Sequence, residues 1–363
     1  MDRETLQKRA VELLSQHHRL LCQWATGVGK SNIAIRFLQE HPGADCLILV
    51  PEQNNIQNWL TEFDKFGVST QLVQIVCYAS FHKFRNTAWD LVVYDEAPHI
   101  DTDKRREIAK DVRAKNILAL GAVIDEEEEA ALKSVYGEFV KFSVSLKNAI
   151  DWGILPPPKV NILHMKLDDK ERLFKYRGRL LTALEMYKAI QSKVEKAVQT
   201  YNASSNAFNR QRMLRAGNER KRFLGMQKEA ALSKICSALS SRGKRFLCFC
   251  PSIQMAERLG GDNAFTSKSP VSMKHLDKFN NHEIDSLYVV GKLIEGQNLV
   301  DIQCGVLGQL GGTTRITVQE CGRIMRSPSP ELYVPVIDGT KDDSFLYTLT
   351  SSISEEYIKH YNF

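Results

Sequence analysis

Cysteine carries no pattern in this sequence. Eight cysteines are scattered through 363 residues, with neither a metal-ligand spacing nor a disulfide framework. Cys248 and Cys250, the closest pair, are expected on opposite faces of a strand. Reduced thiols and a cytosolic setting follow. No run of about 18 apolar residues occurs, which excludes a membrane-spanning helix. The first residues, Met1-Asp-Arg-Glu-Thr-Leu-Gln7, are charged and lack the apolar centre of a signal peptide, so no leader is expected. Low-complexity segments and sequence repeats are absent too. Between Asp168 and Ser241 there is no proline and no strand signal, which points to a wholly helical stretch.

Length and charge say what remains. A chain of 363 residues is too long for one typical core and suggests about two domains. The net charge of +6 is unevenly spread. Lys166 to Lys244 holds nineteen Lys or Arg against seven Asp or Glu, a balance of +12, which leaves −6 for the remainder. So basic a segment in an otherwise acidic chain suggests a polyanion partner. A solvated helical face is the alternative.

Trp24-Ala-Thr-Gly-Val-Gly-Lys-Ser31 is the densest chemical signal. Gly27 and Gly29 permit a tight turn that points successive N–H groups at an anion. Lys30 then reaches the outer phosphates, and Ser31 offers its hydroxyl to magnesium. The helical pattern from Gly29 to Gln39 aims its positive end at the same place. A nucleoside triphosphate site is the reading, and a plain turn the alternative. The strict pattern G-x-x-x-x-G-K-[ST] wants glycine at position 24, where Trp24 stands.

Strands and helices alternate around this loop. Cys46–Val50, Leu72–Tyr78, Trp89–Tyr94 and Asn116–Leu120 read as strands. Helical patterns over Arg3–Ser15, Glu52–Phe66 and Asp103–Arg113 lie between them. This order predicts a parallel sheet covered on both faces, with ligands at the carboxyl ends of its strands. Asp151-Trp-Gly-Ile-Leu-Pro-Pro-Pro158 breaks the pattern, since consecutive prolines favour extended chain. Domains over 1–150 and 151–363 are therefore expected, with a basic helical insertion over about 168–241. Strands at Lys159–Met165, Arg245–Cys250, Ile284–Val290, Val306–Leu307 and Leu332–Ile337 repeat the scheme. Helices are expected at Ile253–Leu259, Val271–Phe279, Ile316–Arg326 and 344–361.

Asp95-Glu96 follows the apolar strand Trp89–Tyr94. Asp95 can hold magnesium through water, and Glu96 can orient and deprotonate an attacking water. A helix N-terminus that favours acids is the alternative. Arg323 and Arg326, three apart on one helical face, could bring cations to a phosphoryl group from the second domain. A solvated basic helix is equally compatible.

These motifs, in this order, resemble a superfamily 2 helicase. The nearest group is that of phage-type and repair-type DNA helicases and translocases and of restriction motors. Ala25-Thr26-Gly27-Val28-Gly29-Lys30-Ser31 resembles motif I, and Gln7 the glutamine that reads adenine. Leu47–Pro51 with Gln57, Trp59, Phe63 and Phe66 resembles motif Ia and the helix after it. Tyr78-Ala-Ser80 falls where the family touches the nucleic-acid backbone. Asp95-Glu-Ala-Pro98 resembles motif II, and Ser145–Leu155 the crossing into the second domain. Phe249-Cys-Pro-Ser252 resembles motif IV. Glu295-Gly296 lies where motif V is expected, and Gln319–Arg326 resembles motif VI.

The resemblance implies two RecA-like domains in tandem, with ATP and Mg2+ held in a cleft between them. The nucleotide site would take Gln7, Thr26, Gly27, Val28, Gly29, Lys30, Ser31, Glu295, Gly296 and Gln319. Catalysis would fall to Lys30, Asp95, Glu96, Arg323 and Arg326, and the metal to Ser31 and Asp95. Nucleic acid, DNA rather than RNA, would meet Pro51, Tyr78 and Ser80. The insertion's Arg210, Arg212, Arg215, Arg220, Lys221 and Arg222 would grip its backbone. Three positions depart from the family: Pro98 in motif II, the hydroxyl-free Leu120-Gly-Ala-Val123 in motif III, and Asn298 in motif V. They serve coupling more than phosphate chemistry, so ATP hydrolysis is expected with or without duplex unwinding. An ATP-dependent DNA helicase acting in replication, recombination or repair is the reading. A duplex translocase inside a larger complex, or an ATP-gated binding module with little turnover, are its rivals. A monomer of phage-like compactness is expected, in a bacterial or phage-infected cytosol. Replication, recombination or nuclease proteins are its expected partners.

Overall fold

The computed structural model describes residues 1–100, 102–266, 272–290, 299, 301–310, 327–351 and 353–363. They fall into two compact units. Met1–Pro157, with Leu299, Ser327 and Pro328, forms the first, and the other described residues from Pro158 onward form the second.

The first unit is a six-stranded parallel sheet in the order β3-β2-β4-β5-β1-β6. Its strands are β1 (Arg19–Trp24), β2 (Cys46–Val50), β3 (Val73–Cys77), β4 (Ala88–Tyr94), β5 (Arg113–Gly121) and β6 (Val140–Val144). Its helices are α1 (Arg3–His17), α2 (Ser31–Glu40), α3 (Gln53–Lys65), α4 (Asp103–Lys110), α5 (Glu126–Tyr136) and α6 (Leu146–Asp151). Side chains alternate across a strand, and here both faces are apolar. Cys46, Ile48 and Val50 of β2 join Leu91 and Val93 of β4 in one core, beneath Leu6, Ile33 and Phe63 of α1, α2 and α3. Leu47, Leu49, Val92 and Tyr94 point the other way, into a core with Ile108 of α4 and Leu132 of α5. This is why β2 reads as an unbroken apolar run: every residue in it is buried.

The second unit is a seven-stranded sheet in the order β11-β12-β10-β13-β14-β7-β15. Its strands are β7 (Lys159–Met165), β10 (Phe246–Phe249), β11 (Ala264–Phe265), β12 (Ser286–Val289), β13 (Cys304–Leu307), β14 (Glu331–Ile337) and β15 (Ile358–Asn362). Every pairing in it is parallel. Helices α10 (Ile253–Gly260), α11 (Ser272–Asn280) and α12 (Lys341–Thr350) accompany it. The basic insertion supplies α7 (Ala183–Ala203), α8 (Ala207–Gln227) and α9 (Glu229–Ser241). A capping box on Thr182 and Glu185 starts α7. No helix among the described residues is long and apolar enough to cross a membrane.

Four expectations need correction. The stretch from 168 to 241 is not wholly helical: β8 (Phe174–Tyr176) and β9 (Arg179–Leu181) form an antiparallel hairpin. Its two turn residues, Arg177 and Gly178, have φ of 46° and 80°, as a tight hairpin turn requires. Strands of three residues are too short to show alternation. The C-terminal helix ends at Thr350, and β15 follows at the sheet edge. The helix expected to reach Arg113 ends at Lys110, and β5 starts at Arg113 itself. Cys248 and Cys250 share one face, their sulfurs 3.8 Å apart, because residues two apart in a strand must do so. The expected helix over 316–326 lies outside the described residues.

Candidate nucleotide site

β1 ends at Trp24 and α2 begins at Ser31, so the loop between them leaves the carboxyl edge of the sheet. Gly27 and Gly29 have φ of 91° and 97°, a region that side chains with a Cβ rarely occupy. A Cβ on Gly29 would lie 2.6 Å from Gln7 Nε2, and one on Gly27 3.1 Å from Leu155 Cδ2. Both glycines are therefore needed for conformation, and Gly29 for space as well. No side chain caps the N-terminus of α2, and its first turn holds no acid. Its leading N–H groups thus keep their attraction for an anion.

Lys30 Nζ donates to Trp24 O at 3.0 Å, which folds the ammonium across the loop that its own backbone closes. Gln7 is buried within α1 at 2% exposure. Its Nε2 donates to Gly29 O at 3.1 Å, and its Oε1 accepts from Arg36 Nε at 3.0 Å. Arg3 donates to Gly27 O and to Ile154 O. Arg3 and Arg36 brace the loop, yet nothing in the sequence pattern marks them. Thr26 and Ser31 are half-buried, and Val28 is buried in the core beneath.

Asp95 follows β4 and is held at three points. Its N–H donates to Leu49 O at 2.9 Å. Its carbonyl accepts from Tyr78 OH at 3.0 Å. Its carboxylate Oδ2 accepts from Trp59 Nε1 at 2.8 Å. Burial pushes the Asp95 carboxyl above the usual range, and the Trp59 hydrogen bond and the Lys30 charge pull it back. The fold thus brings Lys30 and Asp95 within electrostatic reach. Glu96 has φ of 50°, a left-handed conformation that costs a non-glycine residue about 1–3 kcal/mol. The turn it makes is closed by His99 N–H donating to Glu96 O at 3.0 Å.

The donor set fits a magnesium ion that keeps most of its waters. Such a site needs one or two carboxylates plus phosphate oxygens rather than a protein cage. Asp95 supplies one such carboxylate, and Ser31 adds a neutral hydroxyl oxygen. No group of three or more His, Cys, Asp or Glu suited to a metal occurs among the described residues.

The other expected residues are more scattered. Tyr78 is buried at 3% exposure, and its ring stacks on His99 at 5.7 Å. Its hydroxyl is pushed well above the usual range by burial, then by Asp95 and Glu96. Pro51 and Ser80 are half-buried nearby in the chain. In the second unit, Arg210, Arg212, Arg215 and Arg222 are carried on α8, with Phe208 73% exposed on the same helix. Arg220 donates to Gln191 Oε1 at 2.8 Å, and Lys221 is half-buried. Glu295, Gly296, Asn298, Gln319, Arg323 and Arg326 lie outside the described residues.

No protein-family model matches the chain. A Halobacterium salinarum protein assigned as a DNA 3'-5' helicase, Rad25, is 25% identical over 347 residues, covering 87% of this chain and 51% of that protein. The chain spans about half the length of that curated relative. Among solved structures, a fragment of an HsdR subunit ascribed to a type I restriction enzyme of Vibrio vulnificus superimposes with a TM-score of 0.60 at 16% identity, covering 99% of this chain and 67% of that one. The Pyrococcus furiosus Hef helicase domain gives 0.54 at 12% identity, covering 95% and 97%. The chain shares with these solved structures a fold of two parallel-sheet α/β domains.

Proposed function

We propose that the chain is a DNA-stimulated ATPase that drives a helicase. The observation that carries this is the convergence of Lys30 and Asp95. A loop before α2 and the end of β4 bring a phosphate-seeking ammonium and a metal-seeking carboxylate into one field. The assignment of the curated relative as a DNA helicase supports DNA as the partner.

In this reading the turn at Gly27 and Gly29 and the first turn of α2 bind the phosphates through backbone N–H groups. Lys30 exchanges the Trp24 carbonyl for a phosphate oxygen. Magnesium, when bound, neutralises phosphate charge, and Ser31 and Asp95 would hold it. Glu96 orients and deprotonates the attacking water. Arg323 and Arg326 are assigned the charge that builds on the transferring phosphoryl group. The domains are taken as 1–150 and 151–363, with α8 of the insertion carrying Arg210, Arg212, Arg215 and Arg222 to the nucleic-acid backbone.

A second reading, translocation on duplex without strand separation, is favoured by one feature. The segment after β5 brings apolar atoms of Ile124 and Pro98 to Gly121, and Leu120–Val123 offers no hydroxyl for coupling.

The test is phosphate release with single-stranded DNA, duplex, forked DNA and RNA in parallel, beside a Lys30→Ala control. DNA-stimulated release that the control lacks is expected, and release equal to the control's refutes the proposal. Strand displacement beside triplex displacement separates the two readings. Reversal of Arg212, Arg215 and Arg222 to Glu should flatten the salt dependence of duplex binding. The expected change is about 0.9 in the log–log slope for each phosphate no longer neutralised. An unchanged slope would remove α8 from the interface.

A further inference from the structure

Asp95 is held from two directions, and both holders lead to the segments of Pro51 and Ser80, where the family resemblance implies contact with nucleic acid. Trp59 lies on α3, the helix that begins two residues after Pro51. Tyr78 begins the short 3₁₀ segment Tyr78–Phe84, which contains Ser80. The indole N–H takes one carboxylate oxygen at 2.8 Å, and the phenol takes the Asp95 carbonyl at 3.0 Å. Trp59 and Tyr78 are each 3% exposed, so neither ring is itself a surface for the polymer. Trp59 packs on Phe63 with ring centroids 6.1 Å apart, and Tyr78 lies between Tyr94 and His99. These rings are fixed in the core, and a shift of either element must act on Asp95. The stretch where hydroxyls would otherwise serve coupling, Leu120–Val123, has none.

We propose that Trp59 and Tyr78 are positioning residues that carry the response to nucleic acid from the Pro51 and Ser80 segments to Asp95. This rests on the function proposed above. Binding of a strand along those segments would bias α3 and the Tyr78 turn, and each hydrogen bond would pass that bias to the carboxylate. A coupling of this kind requires only that the two elements favour one arrangement when the polymer is bound.

Two measurements test it. The first uses the wild-type chain labelled with 15N-tryptophan, whose four indoles are Trp24, Trp59, Trp89 and Trp152. The Trp59 resonance is assigned by its loss in Trp59→Phe. A saturating oligothymidylate, without nucleotide, should shift the Trp59 indole N–H, while Trp24, in the core beneath the loop, stays in place. The second compares the fold-stimulation of phosphate release by the same oligonucleotide in wild type, Trp59→Phe and Tyr78→Phe. Each variant keeps an aromatic ring and loses its donor. Stimulation is expected to fall at least about fivefold in each, with oligonucleotide affinity, read by fluorescence anisotropy, within about twofold of wild type. An unmoved Trp59 resonance at saturation overturns the proposal. So does wild-type stimulation in both variants, or stimulation that falls only in step with affinity. A wild-type chain that binds oligonucleotide and hydrolyses ATP but fails these tests refutes the coupling alone. One that binds no oligonucleotide refutes the proposed function, and this inference with it.

Discussion

Gly29→Ala gives the sharpest test of how the loop is held. The substitution acts in two ways. It forces a Cβ into φ of 97°, at a cost of about 1–3 kcal/mol. It also sets that Cβ 2.6 Å from Gln7 Nε2. A flexible side chain could step aside cheaply, but Gln7 is buried and committed to Gly29 O and Arg36. Moving it gives up two hydrogen bonds of about 1 kcal/mol each. The loop should therefore lose about 3–5 kcal/mol of preference for its present form, most of it read as weakened nucleotide binding. Gln7→Ala alone loses the same two bonds without the clash. In the double variant the clash has gone and the bonds cannot be lost twice. Binding of ATP to the four proteins, measured calorimetrically, should then give a double variant at least 1 kcal/mol better than the sum of the singles. Additivity within about 0.5 kcal/mol would show that Gln7 does not confine the loop, and the reasoning would fail.

Three further outcomes can be stated. Lys228 and Asp342 form an ion pair at 2.7 Å with side chains 1% and 4% exposed, so Lys228→Ala should destabilise the second unit by about 3–5 kcal/mol in urea unfolding. Asp95→Asn should abolish hydrolysis yet raise the melting temperature at neutral pH, because burial raises the Asp95 pKa and the ionised form is the costly one. A raised carboxyl pKa contributes stability below the unfolded value, about 3.9, and loses it as pH rises through the folded value; the variant's advantage should therefore shrink as pH falls towards 4. Trp24→Gly, which restores the strict phosphate-loop pattern, should cost about 3–5 kcal/mol of stability in the first unit rather than improve nucleotide binding.

The sequence made the sheet legible where strands are buried on both faces. β2 is apolar throughout, and β4 ends on the acid pair, so their type and their proximity to the loop could be read from pattern alone. The edges were not legible. β6 is Val140-Lys-Phe-Ser-Val144, with only Val144 fully buried, and a half-exposed edge strand gives a weak apolar signal. β15 follows Ser351-Ser-Ile-Ser354, whose hydroxyls favour turns over a continuing helix. At the candidate site, the chemistry proposed for Lys30 and Asp95 is written in local order. What holds them is not, because Arg3, Gln7, Arg36, Trp59 and Tyr78 reach their partners across 17 to 36 residues or more. Trp59 stood out only within the resemblance to motif Ia and the helix after it. A donor on a buried ring needs an acceptor, and that need was the available clue.

Trp24 shows why the loop tolerates a residue that the strict pattern forbids. As the last residue of β1 its side chain follows strand alternation into the core, where it is fully buried and meets Phe142 edge-on at 5.4 Å. Only its carbonyl is turned to the loop, where Lys30 holds it. The conformational demand falls on Gly27 and Gly29, which take the positive φ values. Glycine at position 24 would thus meet no steric need of the phosphates, and it would remove a large core side chain. The choice of tryptophan has its own cost. Its Nε1 finds no acceptor among the described residues, and an unpaired buried donor costs about 1–3 kcal/mol. That cost falls on the indole nitrogen alone. Phenylalanine would keep most of the packing and drop the orphaned donor, so the part of Trp24 on which the loop depends is its bulk and its backbone oxygen.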